Sequence, residues 1–309
     1  MEIIHAEKTV DYEATAVALG NFDGLHIAHM KIIRDCARVA RERGIKSGVL
    51  LFEENTKSVA GNKQIELITT NEQKLELLSR EKLDFVYIRQ FTGEFMQKSP
   101  EEFVRLLIKN LKAKIVCVGY DYRFGHKAAG NVDTLRELGK KYGFEVIVTD
   151  KITIDGETVS STHIRGLVRD GRVDEAIAFL GRRYTISGEV VEGLKNGRKM
   201  GLPTANVDYD KHMALPKEGV YAGITEIDGR RYTSVINVGK NLTFGAKKLT
   251  VESHILDFDE DIYGKNINVL FAKRLRGVIK FANVEELIAQ INQDKEAARK
   301  MKLTLSETR

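Results

Sequence analysis

The stretch GNFDGLHIAH (20–29) brings two imidazoles, His26 and His29, within three residues of each other beside two glycines and an aspartate. Residues three apart on a helix share a face, so both rings can aim the same way. Three readings fit: a metal pair, an ordinary cap at a helix start, or a site that handles phosphate. A metal pair needs a third ligand and usually the i, i+4 spacing of H-E-x-x-H, and neither is evident. The apolar run TAVALG (15–20) precedes the box and a helical pattern follows it, so the box is a strand-to-helix turn. Such a turn presents free N–H groups and the positive end of the helix dipole, which favour phosphate. Gly20 and Gly24 allow close approach of backbone or ligand, and Asn21, Phe22 and Asp23 complete the turn. The chain contains no G-x-G-x-x-G and no G-x-x-x-x-G-K-[ST]. A bound nucleotide therefore needs another device for its phosphates, and two imidazoles at a helix start can serve.

A second stretch, SSTHIR (160–165), offers Ser161, Thr162 and Arg165 where another helix begins. Hydroxyls and a guanidinium there are anion-binding chemistry, with a plain Ser/Thr cap as the alternative. Farther on, EGLKNGRKMG (192–201) supplies Gly193, Lys195 and Gly201 for a phosphate-facing loop. In PTAN (203–206), Thr204 and Asn206 stand two apart. In an extended segment they face one side as hard oxygen donors suited to magnesium; a type I turn is the other reading. Glu252, in LTVESHIL, is a lone carboxylate in a strand-like segment. It is costly to bury without a task and fit to take a proton from an attacking alcohol, unless it merely faces solvent.

The elements that position these groups divide the chain in two. The runs TAVALG, SGVLLF, DFVYI, KIVCVG and FEVIVT are short, rich in β-branched residues and not alternating, as in buried parallel strands. Between them lie helical patterns: His26 to Arg43 stopped by Gly44, a capping box of Ser99, Pro100 and Glu102, and a segment from Asp133 to Tyr142. This is an open α/β sheet with helices on both faces. After about residue 180, strand-like segments of period two separated by IDGR and YGKN indicate an antiparallel barrel. The last pattern is an amphipathic helix capped by Asn283 with Glu286, expected to close that barrel. The boundary falls near Leu180–Arg183, giving domains 1–181 and 182–309.

Composition sets the class. Of 309 residues, 42% are hydrophobic and 30% charged, enough for real cores in two domains. No run of about 18 apolar residues occurs, so no membrane partner is expected, and the N-terminus does not read as a signal peptide. A net charge of +5 without a Lys/Arg block interleaved with aromatics suits anionic small molecules and not nucleic acid. Only Cys36 and Cys117 are present and neither is in a C-x-x-C, so a reducing cytoplasm is the expected setting.

Taken together, GNFDGLHIAH and SSTHIR resemble the signature of the HxGH nucleotidyltransferases. VGYDYRFGHKAAGN (118–131) resembles the G-x-D-F-x-F-G box of the adenylyltransferase module in bacterial riboflavin kinase/FAD synthetases. LGRRYTISGEVVEGLKNGRKMGLPTANV (180–207) and VESHILDFDEDIYGKNINVLF (251–271) resemble the riboflavin kinase module of the same enzymes, so the likeness covers nearly the whole chain in family order. The resemblance implies a nucleotidyltransferase α/β domain followed by a kinase barrel. It also implies ATP, riboflavin and FMN as small-molecule partners, FMN and FAD as products, and Mg²⁺ as the cofactor. It assigns Thr204 and Asn206 to Mg-ATP and Glu252 to the riboflavin 5′-hydroxyl. It sets His26, His29 and Arg165, with Ser161 assisting, at the ATP phosphates of the second step, and Asp121 and Asn131 in the nucleotide or flavin pocket. The chain departs from the pattern at Ala28, where the family has glycine, and at Leu51, Glu54, Asn55 and Thr56, which replace a T-F-x-P-H-P segment. Leu242 replaces a proline and Val278 an acidic residue. Two further readings stay open: a kinase beside a weakened or altered N-terminal module, and a flavin-sensing regulator without turnover.

Overall fold

The computed structural model describes residues 1–6, 8–53, 56, 65–193, 203–240, 249–301 and 303. Contacts divide the chain into two compact units, Met1–Ser161 and Thr162–Arg309.

The first unit is a six-stranded parallel sheet: β1 (Glu2–His5), β2 (Thr15–Leu19), β3 (Lys46–Phe52), β4 (Phe85–Arg89), β5 (Ala113–Gly119) and β6 (Glu145–Thr149). Their order is β1-β4-β3-β2-β5-β6. The five expected strands form where the apolar runs lie. β1 has no such run: it is a four-residue edge strand with only Ile4 buried. Helices cover both faces, as parallel strands require. On one, Ile32, Ile33, Cys36, Val39 and Ala40 of α1 (Ile27–Glu42) and Leu78 of α2 (Asn71–Ser79) pack on Ala16, Ala18, Val49 and Cys117. On the other, Phe103, Val104 and Leu107 of α4 (Pro100–Leu111) and Leu135 of α5 (Val132–Tyr142) pack on Val17, Leu19, Leu50 and Val116. A one-turn helix, α3 (Gly93–Met96), precedes α4. The Ser99–Glu102 capping box forms in full, with Pro100 at the helix start. Gly44, at φ +66°, follows the end of α1, the left-handed position a helix stop requires. A two-residue ribbon, β7 (Thr153–Ile154) with β8 (Glu157–Thr158), leads out of the sheet.

The second unit begins with α6 (Ser161–Arg169) and α7 (Val173–Leu180), and α7 packs on β9 (Tyr184–Val191) and β14 (Asn266–Arg276). By packing, these two helices go with the barrel, so the contact division precedes the expected boundary at 181/182. With β10 (Ala205–Tyr209), β11 (Gly219–Ile227), β12 (Arg230–Lys240) and β13 (Leu249–Ile255), the strands form a closed antiparallel barrel in the order β10-β13-β12-β11-β14-β9. Asp228 and Gly229, both at positive φ, make the two-residue hairpin between β11 and β12 that the sequence IDGR announces. The terminal helix α8 (Val284–Lys300) starts at Asn283, whose side chain accepts from the Glu286 N–H. It does not close the barrel. Pairing of β9 with β10 already does so, and α8 lies outside on β11 and β12, where Ala298 joins Val220, Ala222 and Val235 in one apolar cluster. Buried Asp294 anchors it through a fork of hydrogen bonds from Arg276.

Candidate functional site

In the first unit the strand order reverses direction around β2: β3 and β4 lie to one side, β5 and β6 to the other. Open α/β sheets bind ligands at such a switch point, outside the carboxyl ends of the strands. The GNFDGLHIAH turn leaves β2 there, and the GYDYRFG segment leaves β5 beside it. The turn is backbone-strained: Phe22 and Leu25, fully buried, sit at φ +47° and +38°, and Gly24 at +87°. A side chain on Gly24 would also press on Ile68.

His26 is the N-cap of α1, and its Nδ1 accepts the His29 N–H at 3.3 Å. Nδ1 is therefore unprotonated and the ring proton sits on Nε2. The two imidazoles stack with centroids 3.5 Å apart, and Phe22 packs edge-on against His29. Ala28 lies between them on α1.

Asp23 has a different role from its neighbours. It is 2% exposed, and its Oδ1 accepts the N–H groups of Ile68 and Thr69. Thr69 Oγ1 in turn accepts the Gly24 N–H at 3.0 Å. The Asp23 carboxylate thus fastens the turn to the segment before α2 and points at protein, not at solvent. Lys74 of α2, also buried, donates to Asn71, and burial lowers its ammonium while the nearby Asp23 charge partly restores it. Sequence reading passed over this segment, although Thr70 and Gln73 carry a legible capping box. Asn21 accepts from Thr56, one of the departures from the family pattern. Ser161 Oγ donates to the Asp23 carbonyl at 2.8 Å, joining the SSTHIR motif to the turn. Thr162 and Arg165 belong to the second compact unit. Asp121 is exposed just past β5, beside the position a Gly119 side chain would take. Asn131 caps α5, its Oδ1 accepting from Thr134 N–H and Oγ1.

In the barrel, strand register assembles the second constellation. Asn206 on β10 is paired directly with Glu252 on β13, and Glu252 with Asn237 on β12. Directly opposite residues on neighbouring strands share a face, so the three form one row outside the barrel, while Val251 and Ser253 fill its inside. The PTAN segment is extended into β10 and is not a type I turn, because Asn206 and Val207 are taken into the ladder. Thr204, Asn206 and Gly193 line a cavity of about 340 Å³ with Pro203, Ser253 and Tyr263. Burial pushes the Glu252 carboxyl above the ordinary glutamate range, and a hydrogen bond with Asn237 partly offsets this. Two residues on, His254 Nδ1 lies 2.8 Å from the Pro203 carbonyl, and burial pushes that imidazole down. Sequence reading missed both Asn237 and His254. Asn237 becomes relevant only through register, whereas His254 is legible as the second member of an alternating E-x-H. Lys195, Gly201, Leu242, Glu54 and Asn55 lie outside the described residues. Val278 is 66% exposed in the segment after β14.

Two expected outcomes arise here. A Cβ on Gly193 would sit 2.2 Å from Asn206 Nδ2, so Gly193→Ala displaces the Asn206 amide. With Asn206 in the role the resemblance implies, an amide moved by about 1 Å costs on the order of 100-fold in phosphoryl-transfer rate, read against unchanged thermal unfolding; a rate within about twofold of wild type contradicts that role. The Asn237 hydrogen bond favours ionised Glu252. Removing it in Asn237→Ala raises the carboxyl further, so with Glu252 as the base the resemblance implies, the acid limb of the rate–pH profile moves to higher pH while the alkaline plateau stays. A limb that stays in place or moves to lower pH contradicts the contact.

A family profile described as FAD synthetase matches residues 8–163, and one described as riboflavin kinase matches residues 180–302. The chain is similar to bifunctional riboflavin kinase/FMN adenylyltransferases from Listeria monocytogenes (35% identical, covering 92% of this chain and 91% of that one) and Escherichia coli K12 (33%, 96% and 95%). A crystal structure of a macrolide-efflux protein from Streptococcus pneumoniae is 31% identical with a TM-score of 0.88, covering 97% of this chain and 99% of that one. No helix among the described residues is long and apolar enough to cross a membrane.

Proposed function

The chain belongs to the bifunctional riboflavin kinase/FMN adenylyltransferase family, and from that premise we propose which residues carry each half-reaction. The enzyme uses ATP twice, to phosphorylate riboflavin to FMN and to adenylylate FMN to FAD. We assign the adenylyltransferase to residues 1–181 and the kinase to 182–309.

In the kinase, Glu252 accepts the proton of the riboflavin 5′-hydroxyl as that oxygen bonds to the γ-phosphorus of ATP. The bond from the γ-phosphorus to its bridging oxygen breaks, and ADP leaves. The observation that supports this reading is the cross-strand row Asn206–Glu252–Asn237, in which half-buried Glu252 stands opposite Asn206, a residue of the cavity wall. The donor set fits Mg²⁺. Thr204 and Asn206 offer a hydroxyl and an amide oxygen on one side of an extended segment, few enough that substrate phosphates complete the shell. When bound, the ion neutralises phosphate charge; Thr204 and Asn206 would hold it. Asn237 orients Glu252, and its hydrogen bond favours the ionised carboxylate against the cost of burial.

In the adenylyltransferase, an FMN phosphate oxygen attacks the α-phosphorus of the second ATP and pyrophosphate departs. No proton transfer is required, so the task is to stabilise charge. His26 presents Nε2–H and His29 stacks beside it at the helix start. Gly20, Asn21, Phe22 and Gly24 shape the turn, and Asp23 and Ser161 fasten it; the resemblance adds Thr162 and Arg165 as anion-binding groups. Asp121 and Asn131, whose Oδ1 caps α5, are assigned to the nucleotide or flavin pocket. A cytoplasmic setting suits ATP as the substrate of both steps and two buried, unbridged thiols.

A kinase with a weakened adenylyltransferase is the second reading, favoured by Ala28 and Thr56 in the first site. Incubating the protein with riboflavin, ATP and Mg²⁺ and resolving the flavins by chromatography separates the two. Accumulation of FAD supports two working sites, FMN alone supports the second reading, and unchanged riboflavin removes the kinase assignment.

A further inference from the structure

His254 stands next to the kinase row without a part in the chemistry. It lies two residues beyond Glu252 on β13, and alternation puts both side chains on the outer face of that strand. Its Nδ1 is 2.8 Å from the Pro203 carbonyl oxygen. A carbonyl only accepts, so Nδ1 carries the proton and donates. The backbone pairing of β10 with β13 begins at Ala205 opposite Ser253. The imidazole therefore extends the connection between these strands two residues upstream of the ladder, to the residue just before Thr204. Pro203 has no N–H of its own to add to a ladder.

We propose that His254 is a positioning residue for phosphoryl transfer: its Nδ1–H holds the Pro203 carbonyl and so fixes the Thr204 hydroxyl relative to Glu252. The inference rests on the kinase reading of Thr204, Asn206 and Glu252. It makes one strand responsible for both sides of the reaction. Glu252 serves the acceptor hydroxyl, and His254, through Pro203, serves the groups that meet the nucleotide. A tie of this kind preorganises nucleotide binding alike in ground and transition states, so its loss raises KM for ATP and leaves kcat nearly unchanged.

The test is FMN formation at saturating riboflavin and Mg²⁺ with ATP varied, for the wild type and three variants. His254→Ala removes ring and donor, His254→Phe keeps a ring without the donor, and His254→Asn keeps a donor near the Nδ1 position. The expected result is KM for ATP raised about tenfold in Ala and Phe, the scale one ordinary hydrogen bond supplies, with kcat within about twofold. Asn recovers most of the loss. Thermal unfolding of all three at the wild-type temperature reports an intact barrel, and FAD formation from supplied FMN stays at the wild-type rate. A wild-type KM in His254→Phe overturns the inference, since ring packing would then suffice. So does an Asn variant no better than Phe, or a fall in kcat at constant KM. A wild type that leaves riboflavin unchanged overturns the kinase reading and this inference with it, whereas an active wild type with a silent Phe variant overturns the inference alone.

Discussion

Glu252→Gln removes FMN formation from riboflavin while FAD formation from supplied FMN continues. The amide matches the carboxylate in shape but accepts no proton, and loss of a general base costs about 10²–10⁴-fold in rate. The fold should tolerate the change. Burial raises the Glu252 carboxyl above its ordinary range, so the ionised form is disfavoured in the native state. A raised carboxyl weakens the fold as pH climbs from the unfolded value through the folded one, and the deficit is complete above both. A neutral glutamine removes that deficit, so thermal unfolding at neutral pH should occur no lower than in the wild type. Chromatographic separation of riboflavin, FMN and FAD checks both halves in one sample. FMN produced at the wild-type rate would remove Glu252 from the mechanism, and parallel loss of both activities would mean a folding defect.

His29→Ala has the reverse effect: FMN accumulates and FAD does not form. Removing one preorganised group that stabilises developing phosphate charge costs about 10²–10³-fold. Of the two histidines this is the cleaner probe. The His29 backbone N–H, not its ring, engages His26 Nδ1, so an alanine there keeps the helix cap and favours the helix. His26→Ala also deletes the cap itself, with about 1 kcal/mol of helix stability, and mixes folding with function. The measurement is FAD formed from supplied FMN and ATP, with riboflavin phosphorylation as the control. An unchanged FAD rate would return the histidine pair to a purely structural role.

Much of the architecture was legible because it rests on local signals. Non-alternating Val/Ile runs gave β2 to β6, and period-two runs with Asp-Gly at a turn gave the barrel hairpins. The Ser99 and Asn283 boxes fixed two helix starts within a residue. The edge strand β1 escaped because only one of its residues is buried, which leaves no periodic trace. The place of α8 escaped because an amphipathic stripe says that a helix packs, not on what. The packing division at 161/162 likewise depends on which neighbour α7 covers.

The chemistry-bearing groups divide along the same line. Residue types and local spacing determined the histidine pair at a helix start, the Thr204 and Asn206 donors two apart, and a carboxylate in a strand, because those facts concern neighbours in the chain. Only the tertiary structure decided that Asp23 turns inward to hold residues 68 and 69, and that Asn206, Glu252 and Asn237 fall in one row with His254 tied to Pro203. Each of these depends on register or on a partner 30 or more residues away along the chain. Strand register is set by packing of the whole barrel and not by the segment itself, which is why the order of the motifs could be read directly and the geometry of the base could not.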